Sequence, residues 1–153
     1  MNARPHLLVR CRSWLCAIPL SEVVETLRAL PLQPVGGAPT FVRGLSQVRG
    51  ELLPVVELAA LLSSDSGAPA ARLVIVRAGQ HHLALAVDDV LRVVKSELPQ
   101  GTGVAPLLSQ ALPEQVAALA TLDGAALLIL QSTRLLSEEA WALILRQLTA
   151  VGP

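Results

Sequence analysis

The chain has 153 residues, of which 52% are hydrophobic and 2% aromatic, and its twelve basic side chains balance twelve acidic ones. A chain of this length fits one domain that buries roughly 70% of its unfolded surface, in a core of Leu, Val, Ala and Ile. Zero net charge without a basic run argues against a nucleic-acid-binding protein, and the apolar composition argues against a disordered one.

Targeting segments are not apparent in the sequence. The uncharged stretch 104–113 is about half the ~20 residues that a bilayer span needs, and it contains two prolines. The N-terminus has neither the long apolar segment nor the cleavage site of a secretory signal. We therefore expect a cytoplasmic protein that does not insert into the membrane. In that compartment Cys11 and Cys16 are expected to be reduced, partly buried thiols, with a disulfide as the alternative.

The first predicted element is a β-hairpin that recurs in the second half of the chain. Residues 6–27 align with residues 73–94 at an offset of 67 residues. Each copy reads as a strand, a short polar turn, a second strand and an apolar run, with the turns at Arg12-Ser13 and Gly79-Gln80. The shared pattern predicts a shared shape. A short helical turn is expected to begin near Ser21.

A second hairpin repeats in the same way. Residues 44–56 align with residues 118–130 at an offset of 74, which places Arg49-Gly50 on Asp123-Gly124. Asp-Gly between two apolar runs is a strong hairpin signal, because the turn requires positive φ. Gly50 is therefore predicted to lie in a turn. The counterpart Asp123 indicates that this turn needs no positive charge, so Arg49 is expected to have another partner.

These repeats predict a mostly β fold of two small barrels, each of about four or five short strands, with a C-terminal helix. The first barrel is expected at about 6–62, a turn-rich connection at 63–70, and the second barrel at about 71–136, where strand exchange is allowed for. The segment 106–118 is ambiguous between loop and helix. The last helix is predicted at 137–150, capped by a serine, with an apolar stripe that either packs on a barrel or docks a partner.

Candidates for catalysis or metal binding are scarce. His81 and His82 fall at a hairpin tip and are expected to be solvated, and the adjacent Asp88 and Asp89 point to opposite faces of a strand. Every acidic residue falls at a predicted turn, helix start or strand end, where an ordinary pKa is expected. Nucleotide-binding, nucleophile-elbow and zinc-protease motifs are not found. We therefore expect no enzyme, and no catalytic, metal or cofactor site.

Four charged residues interrupt apolar runs, namely Glu25, Arg43, Arg49 and Glu57. Each is either a solvent-facing position on a half-buried strand or part of a binding surface. A rigid protein without catalytic groups is best suited to bind other proteins.

The chain resembles the CheW family of bacterial chemotaxis coupling proteins from about residue 6 to residue 136. Four motifs occur in the family's order: VVE at 23–25, PLQPVGGAPTFVRG at 31–44, GLSQVRGELLPVVEL at 44–58, and AVDDV at 86–90. The third is the most specific. Gln47 replaces an expected asparagine and Glu57 an expected aspartate.

The resemblance implies a fold of two five-stranded SH3-like barrels and an adaptor function. Such proteins bridge the cytoplasmic tip of a chemoreceptor, a helical hairpin, to the regulatory domain of a CheA-type histidine kinase, in arrays. Family positions that match Val23, Gly44, Arg49 and Gly50 lie at or near the receptor groove, and Glu25 and Gln47 of the same motifs are included as candidates. An arginine there would pair with a receptor carboxylate.

Three alternatives remain at this point. An accessory member of the family would bind receptors but not the kinase. An enzyme or metal-dependent regulator on the same scaffold is a second alternative. The third is a fragment of a larger protein, although the helix that ends the sequence favours a free-standing chain.

Overall fold

The computed structural model describes residues 4–63, 70–96 and 114–151. Strands make up most of this part of the chain, and the other elements are two α-helices and two short 3-10 turns, Leu20–Glu22 and Ser132–Arg134. The strands are β1 (Arg4–Cys11), β2 (Trp14–Pro19), β3 (Val23–Arg28), β4 (Val42–Val48), β5 (Glu51–Glu57), β6 (Arg72–Ala78), β7 (His81–Val87), β8 (Asp89–Ser96), β9 (Val116–Leu122) and β10 (Ala125–Leu130). The helices are α1 (Leu58–Ser63) and α2 (Glu138–Val151). The predicted fold class is confirmed, whereas α1 was not predicted.

The strands form two five-stranded sheets of equivalent topology. The first sheet has the order β8-β1-β2-β10-β9, and the second has the order β3-β6-β7-β5-β4. Within each sheet one parallel contact joins two antiparallel hairpins, β2 to β10 in the first and β5 to β7 in the second. The predicted internal repeat therefore corresponds to two copies of one strand arrangement.

The two halves of the sequence exchange their first hairpins. The β1–β2 hairpin joins β8, β9 and β10, while the β6–β7 hairpin joins β3, β4 and β5. The barrels are therefore not the contiguous ranges 6–62 and 71–136, and the exchange involves both of them. Hairpin pairing is local and can be read from turn residues, but the sheet that a hairpin joins depends on contacts between distant residues. Most of the turn-rich connection, and most of the ambiguous segment 106–118, lie outside the described residues.

Apolar side chains fill three clusters, one inside each sheet and one between the sheets. Alternate residues of β6 show the division: Leu73 and Ile75 belong to the interior of the second sheet, while Val74 and Val76 belong to the inter-sheet core. In the first sheet Leu8 and Ala17 face the interior. A strand that is buried on both faces reads as a continuous apolar run, which accounts for the high hydrophobic content.

The second sheet closes on itself beyond β3. Gln33 and Leu45 exchange two backbone hydrogen bonds of 2.7 Å, and the Ser46 hydroxyl donates to the Pro31 carbonyl at 2.8 Å. Because β4 is the edge strand at the opposite end of the sheet from β3, these bonds join its two edges. Closure satisfies backbone groups that an open edge would expose.

Asp88 holds the point where the chain crosses from the second sheet to the first. Its carboxylate accepts hydrogen bonds from the backbone N–H of Arg12 and from the Arg12 guanidinium, the latter at 2.9 Å. Arg12 has a φ of 55°, in the left-handed region. The crossover thus fixes the β1–β2 turn, and Asp88 is a half-buried structural residue rather than a solvated strand end.

Helix α2 packs on the inter-sheet core. Ser137 caps it as predicted, since the Ala140 N–H donates to the Ser137 hydroxyl at 3.1 Å. Ile144 is fully buried, and Trp141 stacks on His81 with ring centroids 4.9 Å apart. The stripe on this helix therefore serves packing. Among the described residues, no helix has the length and apolar character needed to cross a membrane.

Cys11 and Cys16 are thiols with no exposed surface, more deeply buried than the sequence predicts. In the β1–β2 ladder Cys11 lies opposite Trp14, and Cys16 lies opposite Val9. Burial, and secondarily the neighbouring Cys11, raises the pKa of Cys16 to about 12. The reactive thiolate is therefore scarce at neutral pH.

We expect Cys16 to resist iodoacetamide at pH 8 in the folded protein and to react readily in guanidinium chloride. Both burial and protonation act against the reaction, since the thiolate is the nucleophile. Peptide mass spectrometry of samples quenched over time measures the rate. Labelling of Cys16 in the native protein as fast as in the unfolded control would contradict this account.

Candidate functional site

The β4–β5 turn presents Arg49 and Gly50 at its tip. Their φ angles are 51° and 83°, and the matching turn at Asp123 and Gly124 has φ angles of 51° and 80°. Two successive positive φ angles define a hairpin turn whose twist matches that of the flanking strands. The prediction that Gly50 lies in such a turn is confirmed, and the two repeats share its geometry.

Arg49 forms a two-bond ion pair with Glu25 of β3. Its Nε–H donates to Glu25 Oε2 at 2.7 Å, and its Nη2–H donates to Oε1 at 2.9 Å. The Arg49 side chain is 77% exposed and that of Glu25 is 22% exposed. Arg49 therefore already has a partner within the chain, which the sequence analysis did not identify.

The pair changes the acid–base behaviour of Glu25. The hydrogen bonds from Arg49, more than its charge, lower the pKa of the Glu25 carboxyl below its usual 4.5, and the Arg49 pKa rises in turn. The expectation that every acidic residue has an ordinary pKa is wrong here. The carboxylate stays ionised through the whole neutral range, so the pair persists at any physiological pH.

We expect Arg49→Met to raise the Glu25 pKa toward 4.5, as measured from the side-chain carboxyl ¹³C shift during an NMR titration. The wild-type folded pKa lies below the unfolded one, so the pair's stabilisation is complete above the unfolded pKa and is lost as pH falls through the folded pKa. The stability difference between the two proteins should therefore shrink below about pH 4.5. An identical Glu25 titration in both proteins would show that the pair does not form in solution.

Gly44 lies where the second sheet closes. It is buried, has a φ of 151°, and faces the backbone carbonyl of Gln33. A Cβ at this position would approach that oxygen well inside the 3.0 Å that real Cβ atoms keep. Gly44 is therefore a structural residue of the closure, which places the turn that carries Arg49.

The remaining candidates lie on either side of the ion pair. Gln47 is exposed on β4, and Val23 is half-buried on β3, where it packs on the inter-sheet core. The structure thus brings Glu25, Arg49 and Gly50 together and places Val23 two residues before Glu25 on the same edge strand.

Edge strands β3 and β8 carry three apolar side chains that are half-buried or exposed, and we call them the apolar rim: Val23, Leu91 and Val93. Leu91 and Val93 on β8 are 41% and 49% exposed. Val93 lies opposite Leu7, which belongs to the inter-sheet core, so the two side chains share a face. Strands β3 and β8 hold equivalent edge positions in the two sheets. Sequence analysis missed Leu91 and Val93, although the apolar run after the AVDDV motif was a signal.

Glu57 and Arg43 are not the solvent-facing positions that one interpretation of the sequence suggested. The Glu57 side chain is 1% exposed, and Arg43 Nη2 lies 3.5 Å from its Oε1. Glu57 Oε1 also accepts the Ala70 N–H at 3.2 Å. The carboxylate at the position of the family's aspartate is thus an internal group and belongs to no exposed surface.

The histidines serve structural contacts. His6 is buried with its Nδ1 3.1 Å from the Arg4 carbonyl, His81 stacks on Trp141, and His82 Nδ1 lies 3.2 Å from Glu51. Throughout the described ranges, no group of three or more His, Cys, Asp or Glu side chains is arranged to hold a metal ion.

Comparison with known proteins gives three concordant findings. A family model for the CheW-like domain matches residues 5–140. Protein FrzA of Myxococcus xanthus is 36% identical over 76 residues, a match that covers 48% of this chain and 48% of FrzA, so only about half of that relative is represented. The crystal structure of the scaffolding protein TtCheW from Thermoanaerobacter tengcongensis matches with a TM-score of 0.74 at 17% identity, over 90% of this chain and 95% of that one.

The structural likeness to TtCheW establishes the fold, since the identity is too low to carry more. The family match extends from the first strand into helix α2, and it includes both sheets and the Arg49–Glu25 pair. The chain therefore belongs to the CheW-like domain family.

Proposed function

We propose that the chain is a non-enzymatic adaptor that couples the cytoplasmic tip of a chemoreceptor to a CheA-type histidine kinase in a cytoplasmic signalling array. The observation that carries the proposal is the Arg49–Glu25 pair, which lies on two motifs of the family and presents an exposed, oriented guanidinium. Proteins of this family act as scaffolds in chemotaxis-type signalling. The proposal adds the two partners, which are the chemoreceptor tip and the histidine kinase.

Glu25 orients Arg49 without using all of its donors. A guanidinium has five N–H groups, and Glu25 accepts two of them, so three remain for a partner. Because Arg49 is already held in one geometry, binding a receptor carboxylate would cost less side-chain entropy than binding by a mobile arginine. In this proposal Glu25 is a positioning residue and Arg49 the contact residue.

The apolar rim supports a helical partner. Receptor tips are helical hairpins, and an amphipathic helix places an apolar stripe in a groove and polar contacts at its border. Val23 packs on the inter-sheet core, Val93 shares a face with Leu7 of that core, and Leu91 adds exposed apolar surface on the same strand as Val93. Rigid packing on both faces of the strands would let this surface bind without rearrangement.

A pull-down with purified receptor signalling tips tests the first partner. The wild-type chain should be retained, and Val93→Asp should reduce retention, because an exposed valine tolerates a polar side chain in the folded state but not in a desolvated interface. Thr121→Asp, at an exposed position on the opposite edge strand β9, is the matched control and should bind as the wild type does. Equal binding by all three proteins would contradict a role for the rim.

A second pull-down with the kinase regulatory domain distinguishes a coupling adaptor from an accessory receptor-binding protein. Retention of both partners supports coupling. Retention of receptor tips alone selects the accessory role, and retention of neither contradicts both.

A further inference from the structure

A groove of about 230 Å³, open to solvent, lies on the seam where the second barrel closes. Residues from both sides of the seam line it, namely Leu30, Pro31, Leu32 and Gln33 after β3, and Leu45 and Gln47 on β4. The backbone bonds between Gln33 and Leu45 and the bond from Ser46 to Pro31 hold the two sides together. The groove is therefore a preformed feature of the closed barrel.

The groove is apolar with a neutral polar border. Leu45 is 1% exposed, and Leu32, in the segment after β3, is 46% exposed. The polar side chains among the described residues that line the groove are the amides of Gln33 and Gln47, and none of these lining residues is charged. A charged group placed here would lose its hydration without gaining a charged partner. The chemistry of the groove therefore suits an apolar side chain.

The Arg49–Glu25 pair bridges the same seam, next to the groove. Glu25 lies on β3, which leads into one side of the groove, and Gln47 on the other side precedes Arg49 by two residues. Two residues of a strand span about 7 Å. An α-helix rises about 6 Å over four residues, and the side chains of residues four apart share one face. The spacing between the exposed guanidinium and the groove thus matches one face of a helix.

We propose that the seam of the second barrel binds one amphipathic helix of the receptor tip at two points. A carboxylate of the helix pairs with Arg49, and an apolar side chain four residues before or after it enters the groove. Gln47, between the two points, offers its amide to the polar border of the helix. The inference rests on the proposed function and adds the pattern that the partner helix must carry.

Isothermal titration calorimetry of the full chain with purified receptor signalling tips tests the groove. Leu32→Asp should weaken binding by at least about tenfold, because it places a carboxylate beside the apolar side chain that enters the groove. Thr121→Asp, at an exposed position on β9 of the other barrel, is the control and should bind as the wild type does. Wild-type binding by Leu32→Asp would overturn the inference and leave the proposed function standing, whereas failure of the wild type to bind would overturn both.

Two helical peptides of equal composition test the spacing on the wild-type chain, so this measurement does not depend on how the Leu32 variant folds. Each carries one glutamate and one leucine, four residues apart in the first peptide and two residues apart in the second. In NMR titrations the first should shift the Leu32 methyl and Arg49 Nε–H signals together. The second, whose two side chains do not share a face, should not shift both. Equal effects of the two peptides, or no effect of the first, would contradict binding of one helix face at both points.

Discussion

Replacing Gly44 with alanine is expected to lower the free energy of unfolding by about 3 kcal/mol or more, the largest effect among single-residue changes in the candidate site. Two costs combine at this position. The φ of 151° is strained for any residue with a Cβ, and the new methyl group would press on the Gln33 carbonyl that pairs with Leu45. The bonds that close the second barrel must then lengthen or break. Urea unfolding followed by circular dichroism measures the loss.

Two other glycines separate these costs. Gly50 has a φ of 83° but nothing within 4 Å of an added Cβ, so Gly50→Ala should carry only backbone strain, about 1–2 kcal/mol. Gly36 has neither a positive φ nor a neighbour within 4 Å, so Gly36→Ala should be nearly neutral. The expected order of destabilisation is Gly44, then Gly50, then Gly36. Equal effects at Gly44 and Gly50 would show that the Gln33 contact does not constrain the closure.

Arg49→Glu is expected to weaken binding to receptor tips by at least about tenfold while the thermal midpoint changes by less than about 4 °C. The substitution puts two carboxylates together at positions 25 and 49 and removes the exposed cation, which affects recognition strongly. Stability should change little, because exposed ion pairs contribute little to folding. Isothermal titration calorimetry and differential scanning calorimetry measure the two quantities. A large loss of stability would mean that Arg49 is chiefly structural.

A charge exchange distinguishes recognition by Arg49 from simple maintenance of the pair. The double variant Glu25→Arg/Arg49→Glu restores an ion pair between the two positions with the opposite polarity. If Arg49 contacts a receptor carboxylate, binding should stay weak in the double variant. Recovery of binding to the wild-type level would show that only the ion pair matters and that its cation is not recognised.

The turn at Arg49 and Gly50 could be predicted because its signal is local. The residue types of Asp123-Gly124 alone predict a hairpin turn, and the alignment of the repeats extends that prediction to Arg49-Gly50. The matching φ angles of the two turns confirm it. The Ser137 N-cap of helix α2 follows from the same kind of short-range rule. The exchange of hairpins could not be predicted in full, because a β1–β2 hairpin with two apolar faces fits either sheet equally well by composition.

The chemistry of the site depended on contacts between residues distant in sequence. Glu25 and Arg49 are 24 positions apart in sequence, and the strands that carry them, β3 and β4, are the first and last in the order of the second sheet. Only closure of that sheet into a barrel brings the two side chains together. The buried position of Glu57 was harder still to predict from the sequence. Glu57 ends a strand buried on both faces, where an alternating pattern is absent and a single charge therefore suggests a solvent-exposed rather than a buried position.

Co-sedimentation of the kinase with receptor assemblies, with and without the chain, tests the adaptor role most directly. We predict that kinase sediments with receptor only when the wild-type chain is present, and that Arg49→Glu reduces the sedimented kinase and the sedimented chain together. If the chain sediments with receptor while the kinase stays in the supernatant, the result would contradict the proposal that the chain couples the receptor to the kinase.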